Sequence, residues 1–183
     1  DDEAIMATRA GWFAGSGREL MEQEMVAAVR PAPSGEMLLE LQSTFTPTGV
    51  QVTLEQSNFG FLAVRMAKDI ATHWGDGRIT SSEEVEGEEM IFGQSAAWVD
   101  YSGAVAKREG GRRVAVTEGI TYFDHLANPG YPAHWHVRAD GWMGSSLCRH
   151  GAIVIKKPKP LCVRYLLHAH DGLLDSAAAD NIL

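Results

Sequence analysis

Cysteine is scarce: Cys148 and Cys162 are the only two in 183 residues. They can form one disulfide at most, which excludes a cysteine-stapled scaffold and leaves two buried thiols as the simpler reading. Basic residues are also few, 16 Lys and Arg against 24 Asp and Glu, for a formal net charge of −8. A nucleic-acid binder needs clustered cations to meet phosphates. Here Lys107-Arg108, Arg112-Arg113 and Lys156-Lys157-Pro158-Lys159 are short, broken by Gly or Pro, and read as solvated turns, so nucleic acid is not expected as a partner. No apolar run reaches the roughly 18 residues of a membrane-spanning helix. A Walker loop, a Rossmann glycine fingerprint, a Gly-x-Ser-x-Gly elbow and a Cys-x-x-Cys pair are missing, which disfavours nucleotide cofactors, serine-hydrolase chemistry and structural zinc. The acidic start Asp1-Asp2-Glu3 has no apolar stretch behind it and leaves the compartment open.

What is present is an ordinary globular composition, 45% hydrophobic and 22% charged, in a length that fits one domain with a core of its own. Period-two alternation dominates. Met37, Leu39, Leu41 and Phe45 alternate with Leu38, Glu40, Gln42 and Thr44, Pro47-Thr48-Gly49 makes a turn, and Val50, Val52 and Leu54 alternate again. That pair predicts an antiparallel hairpin with one wet face. Further strands are expected over 60–67, 96–102, 112–124, 134–138, 151–156 and 161–168, separated by Gly or Pro clusters. Residues 18–29 suit either helix or strand, and the C-terminal LLDSAAADNIL reads as a short helix or loose tail. About eight short strands with frequent turns predict an all-β antiparallel β-sandwich spanning residues 1–183 as a single domain.

Residues 122–142, YFDHLANPGYPAHWHVRADGW, hold three of the 7 histidines. His134 and His136 are two apart, so on an extended strand both point to one face about 7 Å apart, with Arg138 and Asp140 continuing it. Two readings follow, one with a metal and one without. His-x-His can grip a divalent ion, with a third ligand from His168 or His170 (a second His-x-His) or from Asp124, His125 or Glu83. Alternatively, Arg138, Asp124, His136, Trp135 and Trp142 supply the bidentate donor, carboxylate, imidazole and aromatic floor that a hydroxylated ligand requires. Histidine needs the least pKa adjustment for acid–base work at neutral pH, which points to His136 paired with Asp124 or Asp140. The glutamates of SSEEVEGEEM read as a solvated loop from which Glu83 or Glu84 reaches the site. In WVDYSG, Trp98 and Asp100 share a face, and Asp100 is expected to cap the turn at Ser102-Gly103.

Five segments occur in one order: SNFGFLAVRMAKDI, GDGRITSSEE, GQSAAWVDYSG, GITYFDHLANPGYPAHWHVRADGWMGSS and VRYLLHAHDG. In these the chain resembles the soluble bacterial family labelled "methane oxygenase PmoA", a domain of unknown function, over roughly residues 10–172. The resemblance implies a β-rich protein, part of a larger supersandwich-like fold, and by association with sugar-catabolic enzymes a carbohydrate role. It carries over Asp124, His125, Asn128, Pro129 and the run Trp135-His136-Val137-Arg138 as the most specific motif. It departs at Leu126, where the family has proline, and at Ser81, where it has asparagine. Family members carry a further N-terminal region, so the chain reads as a C-terminal part. It is therefore expected to associate with itself or with a partner chain that completes the fold. The implied activity is a lyase, hydrolase or isomerase acting on a carbohydrate, not a membrane methane monooxygenase. The alternative is a non-catalytic carbohydrate-binding or accessory domain. Expected catalytic residues are His136, Arg138, Asp124 and His125. Expected ligand contacts are His134, Trp135, Asn128, Asp140, Trp142 and Glu83.

Overall fold

A computed structural model of the chain describes residues 2–32, 35–174, 176–179 and 182. In chain order the elements are β1 (Ala4–Phe13), β2 (Glu19–Pro31), β3 (Met37–Pro47), β4 (Gln51–Leu54), β5 (Ala63–Arg65) and β6 (Arg78–Ser81), then the single-turn helix α1 (Glu88–Ile91). They continue as β7 (Trp98–Glu109), β8 (Arg112–Asp124), β9 (Trp135–Arg138), β10 (Trp142–Ser145), β11 (Ile153–Lys156), β12 (Leu161–Asp171) and the short helix α2 (Ser176–Ala179). The large sheet runs β1-β2-β3-β12-β8-β7-β6, and two smaller sheets, β5-β10-β9 and β11-β4, accompany it. Each pairing is antiparallel. The architecture is the all-β sandwich that the alternation predicts.

The two faces of the large sheet follow from period two. Val163 and Tyr165 on β12, Tyr122 on β8 and Val99 and Tyr101 on β7 point one way into the main core. Trp135, Val137 and Met143 of the three-stranded sheet meet them there, with Ile155 of β11. The alternate positions, Trp98 and Phe123, point the other way, and Ala179 of α2 packs on them with Ile182. The C-terminal helix reading therefore holds over 176–179, while residues 175, 180, 181 and 183 of that segment lie outside the described residues. No helix of the described residues is long and apolar enough to cross a membrane.

The predicted hairpin of 37–54 does not form. β3 pairs with β2 on one side and β12 on the other, so both its hydrogen-bonding edges are taken. β4 pairs with β11 instead, and the Pro47–Gly49 turn carries the chain from one layer to the other. Val52, Leu54 and Ile153 then pack onto the main core. Residues 19–31 are strand, because pairing with β1 and β3 overrides the helical propensity of their Glu, Met and Ala residues. Three strands went unread: β1, β6 and β10. The cysteines are free, Cys148 buried and Cys162 only partly so.

Candidate functional site

Trp135 and Val137 of β9 are fully buried in the core, and the Trp135 indole donates to the Ala96 carbonyl at 2.8 Å. Trp135 therefore has no face left for a ligand. His134, His136 and Arg138 take the opposite side of the strand, as the two-residue spacing requires.

His136 is 7% exposed and sits among aromatic rings. Its centroid lies 4.9 Å from Phe59, 5.2 Å from Phe92 and 6.2 Å from Trp142. Its Nδ1 is buried without a hydrogen-bond partner among the described residues. Burial pushes its pKa down, the charges of Arg138 and Arg149 push the same way, and the Asn58 backbone and Glu88 act against them. The cage depends on Gly60: a Cβ there would stand 1.8 Å from the Ser145 carbonyl oxygen, so only glycine lets the 58–60 segment settle on β10.

His134 lines a neighbouring cleft of about 180 Å³ with Arg149, His150, Ser145 and Ser146. The rings of His134 and His150 meet edge to face at 4.2 Å. Burial lowers the His134 pKa first, and His150 and Arg149 lower it further. Arg149 donates to Asn58 Oδ1 at 3.1 Å and lies 4.8 Å over the Phe92 ring. Gly93 leaves it that room: its φ is +77°, and a Cβ there would fall 2.1 Å from Nη2 of Arg149. His136 of β9 and His134 just before it thus share one aromatic surface, joined by the Arg149 guanidinium.

Other expected residues hold the frame. Asp124 is buried, and its carboxylate accepts from Asn128 Nδ2 at 2.6 Å and from the Ala133 backbone N–H at 2.9 Å. Burial raises its pKa, against the pull of those donors. Asn128 also donates to the Arg164 carbonyl at 2.6 Å and accepts from the Arg164 N–H at 2.8 Å. Together they clamp the 125–133 loop to β12. His125 is exposed, and its Nδ1 accepts from the Ala127 N–H at 3.0 Å, closing a local turn. Arg138 pairs with Asp140 at 2.9 Å, and Asp140 pairs again with Arg65 at 3.0 Å. Arg65 in turn lies 5.2 Å over the Trp142 ring, at the border of the His136 cage. Glu83 is an exposed turn residue beside Ser82, whereas Glu88 reaches β9, accepting from the Ala139 N–H at 2.6 Å.

The second His-x-His is on another sheet and has its own partners. His168 Nε2 lies 2.8 Å from Glu36, and His170 Nε2 lies 2.9 Å from Asp100, which also accepts from the Thr121 hydroxyl at 3.0 Å. Burial by itself lowers the His170 pKa, but the Asp100 hydrogen bond and charge outweigh it and the net shift is upward. Asp100 is thus not a turn cap: β7 runs past it to Glu109, and its carboxylate is committed within the sheet face. The His134/His136 and His168/His170 pairs do not converge, and no group of three or more His, Cys, Asp or Glu able to hold a metal occurs among the described residues.

Sequence reading missed Asn58, Phe59, Phe92, Arg149 and His150. Arg149 and His150 arrive because β10 pairs back on β9 and the Ser146 N–H donates to the His134 carbonyl at 2.7 Å. No local pattern marks Arg149 or His150, and Asn58 and Phe59 lie in SNFGFLAVRMAKDI without a spacing that points to a site.

No curated protein and no solved structure matches the chain. The whole length, residues 1–183, matches the model described as "Family of unknown function (DUF6807)", and the protein belongs to that family.

Proposed function

We propose that the outward face of β9 is a small-molecule site for a carbohydrate or related polyol, with His136 as its acid–base group. The observation that carries this is the Nδ1 of His136, buried and unpartnered inside an aromatic cage. A buried polar atom without a partner in a native fold calls for an occupant or a chemical role. Phe59 is 60% exposed, so it is the ring a ligand displaces or stacks on to reach the imidazole. Aromatic faces suit the apolar faces of sugar rings, and an imidazole with a lowered pKa is neutral at physiological pH, ready to accept a proton. The resemblance to the PmoA-labelled family supports the carbohydrate class by association.

One observation favours the non-catalytic alternative. Of the expected partners of His136, Asp124 is committed to Asn128 and Ala133 and Asp140 to Arg138 and Arg65, so among the described residues neither orients the imidazole as a catalytic pair needs. A sugar and polyol panel, read by calorimetry for binding and by product analysis for turnover, separates the two. His136→Ala and Phe59→Ala are expected to abolish binding. Binding of the whole panel unchanged in both variants would remove the site from this face.

A further inference from the structure

We infer that the ligand of this face carries an anionic group, a carboxylate or phosphate on a sugar, seated in the cleft formed by His134, Arg149 and His150. The inference rests on the proposed reading of the β9 face as a ligand site and narrows its substrate class.

Charge is the first argument. The protein carries a formal net charge of −8, yet this cleft gathers one guanidinium and two imidazoles. Among the described residues the histidine–carboxylate pairs are His168–Glu36 and His170–Asp100, on a different sheet. Arg149 is held by a neutral amide oxygen and an aromatic face, neither of which cancels its charge. Asp124 borders the cleft, but Asn128 and the Ala133 N–H occupy its two oxygens. An arginine placed by neutral groups keeps its strong donors for a ligand, and guanidinium geometry matches carboxylate and phosphate oxygens.

Mutual repulsion is the second. His134 and His150 stand ring against ring at 4.2 Å with Arg149 beside them, and these neighbours disfavour the protonated form of His134. An anion between them adds an attraction to each positive charge, which opposes that repulsion. Size is the third. A cleft of about 180 Å³ has room for an anionic group and its nearest atoms. His136 lies two residues along the strand, about 7 Å away. With the anionic group in the cleft, the sugar ring reaches Phe59 and Trp142 around His136.

The test compares glucose, glucuronate, a hexose monophosphate and inorganic phosphate on the full chain by calorimetry, with thermal shift in parallel. Glucuronate or the hexose phosphate is expected to bind at least about tenfold tighter than glucose, since a charge-assisted bond to arginine is worth that much. The tighter of the two identifies the anion. Arg149→Gln and His150→Gln should erase the preference, and Arg149→Lys should retain part of it, which separates loss of charge from loss of folding. Equal affinity for glucose and both anionic sugars, unchanged in Arg149→Gln, would overturn the anion assignment and leave the sugar site standing. No response to glucuronate, the hexose phosphate or inorganic phosphate would overturn the anion assignment, while the sugar and polyol panel decides the site itself. A preference that persists in Arg149→Gln and His150→Gln would place the anion elsewhere and overturn the assignment.

Discussion

Adjacent residues on β9 have opposite roles, and substitution separates them. Trp135→Ala removes a fully buried indole and its bond to Ala96, so it should cost about 3–5 kcal/mol, read as a large fall in Tm. His136→Ala removes a ring whose Nδ1 satisfies nothing, so binding should be lost with a much smaller change in Tm. If His136→Ala lost stability in step with binding, the cage would be packing alone. Histidines also give a pH signature with two limbs. His134 and His136 are depressed below the ordinary value of 6.5, so the unfolded chain takes up protons first as pH falls. The stability they contribute is complete above 6.5 and is lost as pH drops through their folded values. His170 is raised, so its contribution is complete below 6.5 and fades as pH climbs through its folded value. Thermal unfolding against pH should thus peak near 6.5. His136→Ala should flatten the acid limb and Asp100→Asn the alkaline one. An alkaline limb unchanged in Asp100→Asn would show that the pair with His170 does not govern it.

At the scale of elements, the loop between β8 and β9 is positioned by two buried polar side chains. Asn128 makes three bonds, to the Asp124 carboxylate and to both backbone groups of Arg164. Asn128→Ala strips these and leaves a buried carboxylate short of a donor, which should cost about 2–4 kcal/mol. Any loss of ligand binding should then follow the loss of folded protein. A drop in binding at full stability would instead move Asn128 into the site. The hairpin that failed to form teaches a related point. Residues 37–54 read correctly as two strands and a turn, but whether the second strand returns beside the first depends on which edges are free. β2 and β12 claim both edges of β3, and their sequences lie on opposite sides of the hairpin in the chain.

For the molecule as a whole, the two ends of the large sheet differ. β6 is four residues long and is guarded by its own following turn, through the bridge between Thr80 and Glu86. β1 is ten residues long, exposed throughout, and contains one charged residue, Arg9, which pairs with Glu24. Ile5 is 65% exposed and Met6 54%. Long apolar edges without Lys, Pro or inward charge recruit further strands. The expectation of association therefore belongs at β1. Sedimentation should show concentration-dependent self-association, weakened by Ile5→Lys and Met6→Lys. A single monomeric species at all concentrations would contradict it.

The sequence by itself determined the all-β class, most strand positions and the sharing of one face by His134, His136 and Arg138. These are local consequences of a two-residue period and of turn chemistry, readable wherever a strand stands. Tertiary structure decided which of those side chains face the proposed ligand surface and which are held in bonds of the frame. Asp124, Asn128 and Arg138 are the residue types of a catalytic site, and their partners turn them into loop clamps and a surface ion pair. Arg149, His150 and Phe59 carry no local signature, because their meaning comes from β10 folding back on β9 and from the glycines that admit Asn58 and the Arg149 guanidinium. Side-chain chemistry is written in the chain, but the partner that commits or frees each group is chosen by long-range pairing, and pairing depends on every edge and face in the fold at once.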